Sequence, residues 1–362
     1  MASKSLRFAV VAAGALGVAL GSAAPVTAQY IITEYSAGIT AFAAPAGITA
    51  GPDGALWFTE LGLDRIGRIT TAGVVTEYST GITAGATPDG MTTGSDGALW
   101  FAEYGGDRVG RITTAGAVTE YSAGITAGAR PRGIAAGPDN ALWFAEYAGD
   151  RIGRITTAGA VTEYSAGITA GSNPRGIVAG SDGALWFTEF NGSRVGRITT
   201  AGAVTEYSAG ITSGAGPYGI AAGPDGALWF AEYYGNRIGR ITTAGAATEY
   251  STGISAAADP RGIAAGPDGA LWFTEYDGNR IGRITTGGLI TEYSAGISAG
   301  SYPIAITAGP DGALWFAEYA GDRIGRVAPA AGFIIPVAST TGLLLLAALV
   351  GGAALLALRR TA

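Results

Sequence analysis

Tryptophan recurs in this chain at one interval. Trp57, Trp100, Trp143, Trp186, Trp229, Trp272 and Trp315 are each 43 residues apart, and no insertion breaks the series. Around them one unit repeats: P-x-G-I-A-A-G-P-D-G-A-L-W-F-A-E-Y-x-G-D-R-I-G-R-I-T-T-A-G-A-V-T-E-Y-S-A-G-I-T. A fixed period of this length makes each copy a supersecondary unit that buries its apolar surface only against its neighbours. Four short β-rich runs per copy are separated by Gly, Pro and Asp turn signals, so each copy supplies four strands.

The third copy shows the pattern. Residues 133–137 read as a first strand, Pro138-Asp139-Asn140 as a hairpin turn, and residues 141–147, 151–156 and 160–165 as the next three strands. Alternation sends Leu142 and Phe144 to one face, Trp143 and Ala145 to the other. Both faces are therefore apolar, which a lone sheet in water would not tolerate and which radially stacked blades require. Burying one indole removes roughly 150–250 Å² from water, an upper estimate of about 4–6 kcal/mol. The expected fold is an all-β, seven-bladed β-propeller.

The array's ends support a ring. The Thr-Glu-Tyr run occurs at Glu34, Glu77, Glu120, Glu163, Glu206, Glu249 and Glu292, so one copy precedes the first Trp and the last Trp unit ends at Val327 without one. Residues 31–36 are expected to supply the outer strand of the last blade and close the ring. An open solenoid would instead need atypical capping repeats.

Outside residues 29–328 the composition changes. Residues 1–28 read as a secretory leader, with Lys4 and Arg7, an apolar run over 8–20 and a Val26-Thr27-Ala28 cleavage site. A linker over 329–341 leads to a tail over 342–362, in which residues 342–358 are apolar and Arg359 and Arg360 follow, enough for one membrane helix with its basic end in the cytoplasm. The string Ile335-Pro336-Val337, Ser339, the leucine-rich core and Arg359-Arg360 resembles the IPTL-type C-terminal sorting signals of Gram-negative bacteria. That resemblance implies delivery to the envelope (periplasm, cell surface or secretion), with the tail retained as an anchor or removed.

With no cysteine, the chain holds no disulfide and no thiol nucleophile. Between the two ends, 18 arginines face 28 carboxylates, about −10, the wrong sign for a nucleic-acid partner. Histidine is absent and Lys4 is the only lysine, so a serine triad has no base. A monomer is expected, with a small molecule, a glycan or an envelope protein as partner at the channel mouth.

The G-P-D-G-A-L-W-F-[TA]-E, N-R-I-G-R-I-T and T-E-Y units resemble those of the virginiamycin B lyase family, over residues 31–327. The resemblance implies a seven-bladed propeller and a magnesium-dependent elimination that opens a cyclic streptogramin at its ester, with histidine as acid/base and glutamates holding the metal. The position implied for the catalytic histidine is Ile304 here. The glutamate fourteen residues on is Glu318, the acidic position two residues before is Tyr302, and a second histidine one blade earlier falls near Arg261.

Two residue sets invite a site. Glu60, Glu103, Glu146, Glu189, Glu232, Glu275 and Glu318 end each W-F-[TA] run near one channel mouth. A carboxylate ring of this kind, with Glu60, Glu275 and Glu318 as its named members, is a potential magnesium site. The alternative is pairing with Arg65, Arg108, Arg151, Arg194, Arg237, Arg280 and Arg323. The second arginine set, Arg68 to Arg326, is expected to pair with the Thr-Glu-Tyr glutamates, and Asp53, Asp96 and Asp225 to serve their hairpins. The other site set lies where the copies differ. Arg130, Arg132, Arg175, Tyr218, Arg261 and Tyr302 fall at the starts of first strands and suit an anionic or sugar-like ligand, or else neutralise the glutamates. Tyr302 is the one candidate to stand in for an imidazole, although a phenol with a reference pKa near 10 is a poor base at neutral pH. Three functions follow: a non-catalytic binding or scaffold propeller, a streptogramin-lyase-like enzyme, and a calcium-dependent lactonase-like enzyme.

Overall fold

A computed structural model describes residues 30–330. The chain forms seven four-stranded antiparallel sheets, and no helix occurs among the described residues. The first complete copy contributes Pro45–Ala50, Leu56–Glu60, Arg65–Ile69 and Val75–Tyr78, hydrogen-bonded in that order. The next five copies repeat it. The seventh sheet runs Tyr30–Tyr35, Arg323–Pro329, Leu314–Glu318, Pro303–Ala308, so its outer strand comes from the other end of the chain. Tyr30 lies opposite Pro329 and Tyr35 opposite Ile324. The expected closure is present. It begins one residue earlier than the pattern suggested, and its partner runs past Val327 to Pro329 because the closing strand supplies hydrogen-bonding groups there. The leader and the 342–362 tail lie outside the described residues.

Adjacent blades meet through the two apolar faces. Trp143, Ala145 and Ile152 of the third blade pack on Leu185, Phe187 and Ile198 of the fourth. All seven tryptophans are fully buried. Each stacks on the tyrosine of a Thr-Glu-Tyr strand, as Trp143 does on Tyr164 at 5.5 Å between ring centroids. Opposite Phe144 stands Gly153, where any Cβ would enter the phenyl ring, so the third strand passes directly over an aromatic.

One pairing expectation is corrected. Arg68 to Arg326 do lie on third strands, but they bind the hairpin aspartates instead of the Thr-Glu-Tyr glutamates. Arg154 Nε donates to Asp139 Oδ2 at 2.6 Å, while Asp139 Oδ1 accepts from Trp143 Nε1 at 3.0 Å. Register is the reason. Arg154 pairs with Trp143 across the sheet, so its guanidinium lies 5.9 Å from the indole centroid, beside the hairpin. The turn aspartates therefore clasp indole and guanidinium together as well as shaping the turn.

First strands from all seven blades line the axis, where Gly47, Gly90, Gly133, Gly176, Gly219, Gly262 and Ala305 surround an open channel. In each of the first six blades the ladder slips between the Pro and the Ile of Pro-x-Gly-Ile (Met91 in the second). Such a bulge re-aims the extra residue. Adjacent blades also meet closely here. A Cβ on Gly133 would overlap the backbone carbonyl of Arg175, so glycine lets the inner strands approach and leaves the x residue to furnish the wall.

Candidate functional site

The channel wall is chemically uneven. A cavity of 110 Å³ opens between the second and fifth blades, lined by Asp89, Arg132, Arg175 and Tyr218 with the four glycines that follow them. Arg132 Nη1 bonds Asp89 Oδ2 at 2.8 Å. The Arg175 guanidinium carbon lies 3.6 Å from the Tyr218 ring centroid, and Arg175 also donates to the Tyr218 hydroxyl. Thus three of the six predicted ligand residues share one cavity. Arg261 continues the arc, 5.4 Å from the Tyr218 centroid and 3.2 Å from that of Tyr276. Arg130, exposed, donates to the Tyr104 hydroxyl at 3.2 Å on the near side. Tyr302, 36% exposed, lies beyond Arg261 with its ring 4.8 Å from that of Tyr276.

The residues that join these groups were not singled out from the sequence. They directly follow the W-F-[TA]-E glutamates: Tyr104, Tyr147, Phe190, Tyr233, Tyr276 and Tyr319, with Leu61 in the first blade. Each directly follows the end of a second strand at the same mouth as the Pro-x-Gly residues, because Pro131 pairs with Glu146 in register. Arg132 lies 4.0 Å from the Tyr104 centroid and 4.9 Å from that of Tyr147. Arg175 lies 5.7 Å from Phe190, and Arg261 4.9 Å from Tyr233. Cation and ring alternate around the wall, a cation–π series. The available signal was weak, because tyrosine fills the position in all copies but two, where Leu61 and Phe190 stand. Burial pushes the Tyr104 phenol upward, but Arg132 and Arg130 outweigh it and hold the group below its ordinary value. At Tyr276 burial prevails over Arg261 and the phenol is raised.

The seven glutamates lie outside this wall. All are fully buried, and six have a third-strand arginine within 4 Å, as Glu146 has Arg151 at 2.7 Å, Glu275 has Arg280 at 2.7 Å and Glu318 has Arg323 at 3.7 Å. Arg65 turns instead to Glu77 at 2.8 Å and leaves both oxygens of Glu60 without a hydrogen-bond partner. Each of these carboxyls also faces a Thr-Glu-Tyr glutamate. Burial first, and then the Glu34 charge, push Glu318 up to about 8; burial and Glu77 do the same to Glu60, and Glu275 likewise reaches about 8. The Thr-Glu-Tyr partner is held low where a shift occurs. For Glu77 burial is outweighed by the Thr40 hydroxyl and amide, Glu60 and Arg65. Glu60, Glu275 and Glu318 thus belong to separate blades, each with its own partners. Among the described residues no three acidic groups converge on a point where a metal would sit.

The sequence model of the virginiamycin B lyase family matches residues 24–170 and 167–337, which together contain the whole propeller. The chain belongs to the virginiamycin B lyase family. Solved structures agree. A streptogramin B lyase is 38% identical with a TM-score of 0.78, covering 83% of this chain and 98% of that one. Virginiamycin B lyase from Staphylococcus aureus is 40% identical with a TM-score of 0.77, covering 83% and 99%. A catalytically inactive histidine-to-alanine variant of that enzyme, with quinupristin, is 39% identical with a TM-score of 0.77 over the same shares. No curated protein matches the chain.

Within the virginiamycin B lyase family frame, the position implied for the catalytic histidine is a hydrocarbon. Ile304 is half-buried against the core between the last and first blades, and its carbonyl accepts from Thr274 Oγ1 at 3.0 Å. Tyr302 and Arg261 stand on the channel mouth, while Glu318 is buried behind it.

Proposed function

We propose that this member of the virginiamycin B lyase family is an exported binding propeller that holds a small molecule at the mouth of its channel and does not open it. The observation that carries this reading is the alternating arc of Arg132, Tyr147, Arg175, Tyr218, Arg261 and Tyr276 on one wall. It is a recognition surface built from the positions at which the copies differ. General acid–base chemistry needs a group that exchanges a proton near neutral pH. The family's imidazole position carries Ile304, the chain has no histidine to take over, and the carboxyls raised into that range, such as Glu318, are buried behind the wall where a ligand at the mouth would not reach them. The leader-like residues 1–28 support export, and the IPTL-like tail supports residence at the envelope.

The 38–40% identity to streptogramin lyases favours one rival, a lyase that works without imidazole. Quinupristin separates the two. The protein is titrated with quinupristin by calorimetry, and the mixture is then analysed by mass spectrometry with and without magnesium. Saturable binding and recovery of the intact ring are expected. Magnesium-dependent ring opening above the protein-free blank would establish the lyase, and absence of saturable binding would remove streptogramins as the ligand of the channel mouth.

A further inference from the structure

The arginines fall into two populations. Of the 18 in the described residues, 15 form an ion pair with a carboxylate. The remaining three, Arg130, Arg175 and Arg261, have no such pair among the described residues, and all three stand at the same channel mouth. Arg130 is exposed and solvated, whereas Arg175 and Arg261 are half-buried. Removing a guanidinium from water without a counter-charge costs free energy that a structural role would not require. Aromatic faces offset part of that cost. They cover the faces of the guanidinium, however, while its N–H donors lie in its plane. Arg132 Nε and Arg261 Nε are buried and have no acceptor. Buried donors without acceptors are rare in folded proteins and ask for an explanation.

We propose that the cavity lined by Asp89, Arg132, Arg175 and Tyr218 is an oxyanion subsite, which takes a single carboxylate or phosphate group of a small ligand. Asp89 neutralises Arg132 at 2.8 Å, so the surplus charge among the residues lining this cavity is that of Arg175. Tyr218 sets the position of that charge by accepting one N–H and covering one face, leaving the other donors of the planar fork to an oxyanion. Size restricts the occupant. At 110 Å³ the cavity is well below the roughly 300–1,000 Å³ of sites that enclose a drug-sized molecule, so it holds a head group and leaves the body of the ligand on the aromatic rim. The net charge of the propeller repels extended polyanions. This inference rests on the channel-mouth binding reading and deepens it.

Calorimetric titration of the intact protein with inorganic phosphate, acetate and glucuronate, with glucose as the neutral control and chloride holding ionic strength constant, tests the assignment. Saturable binding of phosphate, or of both carboxylates, with none of glucose is expected; phosphate alone or carboxylates alone would name the source of the group. Arg175→Ala should weaken that binding at least about tenfold, the scale of one lost charge-assisted hydrogen bond. Arg111→Ala, whose guanidinium pairs with the hairpin aspartate Asp96 at the other end of its blade, should change it less than about twofold. Arg175→Lys keeps the charge without the fork and should fall between them, which maintains the test if the alanine variant folds poorly. No saturable oxyanion binding by the wild type, or equal binding by Arg175→Ala, overturns the subsite. The two readings fail separately. Quinupristin bound alike by wild type and Arg175→Ala without any oxyanion binding would sink the subsite alone, and oxyanion binding without quinupristin binding would leave it standing.

Discussion

Raising the pH should destabilise this propeller through its buried carboxyl pairs, and Glu146→Gln isolates one of them. Glu146 is fully buried between Arg151, at 2.7 Å, and Glu163. Burial is the main cause that pushes it up to about 8; Arg151 works in the opposite direction, and the neighbouring Glu163 adds to the rise. Its ordinary value is 4.5. Between these values the folded chain keeps a proton that the unfolded chain has released. A carboxyl with a raised folded-state value contributes stability in full below the unfolded value, and the contribution disappears as pH rises through the folded one. In the window from 4.5 to about 8, unfolding free energy therefore falls by about 1.4 kcal/mol per pH unit for this one group. Glutamine is a neutral isostere and has no proton to lose. The stability of Glu146→Gln relative to wild type should rise across the window by about 1.4 kcal/mol per unit, and level off above it. Urea unfolding of both proteins at pH 5.5, 6.5 and 7.5, read by tryptophan fluorescence, measures that difference. A difference that does not change with pH, or that falls, would mean Glu146 is ionised throughout and paired with Arg151, and the carboxyl-pair account would be wrong.

Two further outcomes follow from the packing. Asp225→Ala removes the acceptor shared by Trp229 Nε1, at 3.0 Å, and Arg240 Nε, at 2.7 Å, leaving a buried indole N–H unpaired, and should cost about 1–3 kcal/mol in urea unfolding; a cost within error of zero would show that the clasp is incidental. Truncation that removes Tyr30–Tyr35 bares the edge formed by Arg323–Pro329 and uncovers the contacts of Ile32, so it should lower the melting temperature and produce dimers or larger species by size exclusion, whereas a monomer with the wild-type melting temperature would show that closure is dispensable.

How far the sequence reaches differs between fold and site. Strand number, blade number and ring closure were legible because they are local and periodic. Alternation in Leu-Trp-Phe-Ala places residues on faces whatever lies beyond, and a displaced Thr-Glu-Tyr run has only one free edge to join. The candidate wall was half legible. Arg132, Arg175, Tyr218 and Arg261 showed themselves by differing between copies, but the rings at Tyr104, Tyr147, Phe190 and Tyr276 that hold them were read as part of the repeat.

Charge partners were the least legible. The sequence pointed Arg154 to a Thr-Glu-Tyr glutamate, and only the cross-strand register, which sets it beside Trp143, gave it to Asp139. What the amino-acid order determined alone was the repeated strand and its two apolar faces, since hydrogen-bond ladders and side-chain alternation depend on neighbours a few residues away. Tertiary structure decided which glutamates lie buried, and that Arg175 and Arg261 form no ion pair among the described residues, because electrostatic partnership depends on distances between blades that no spacing along the chain encodes.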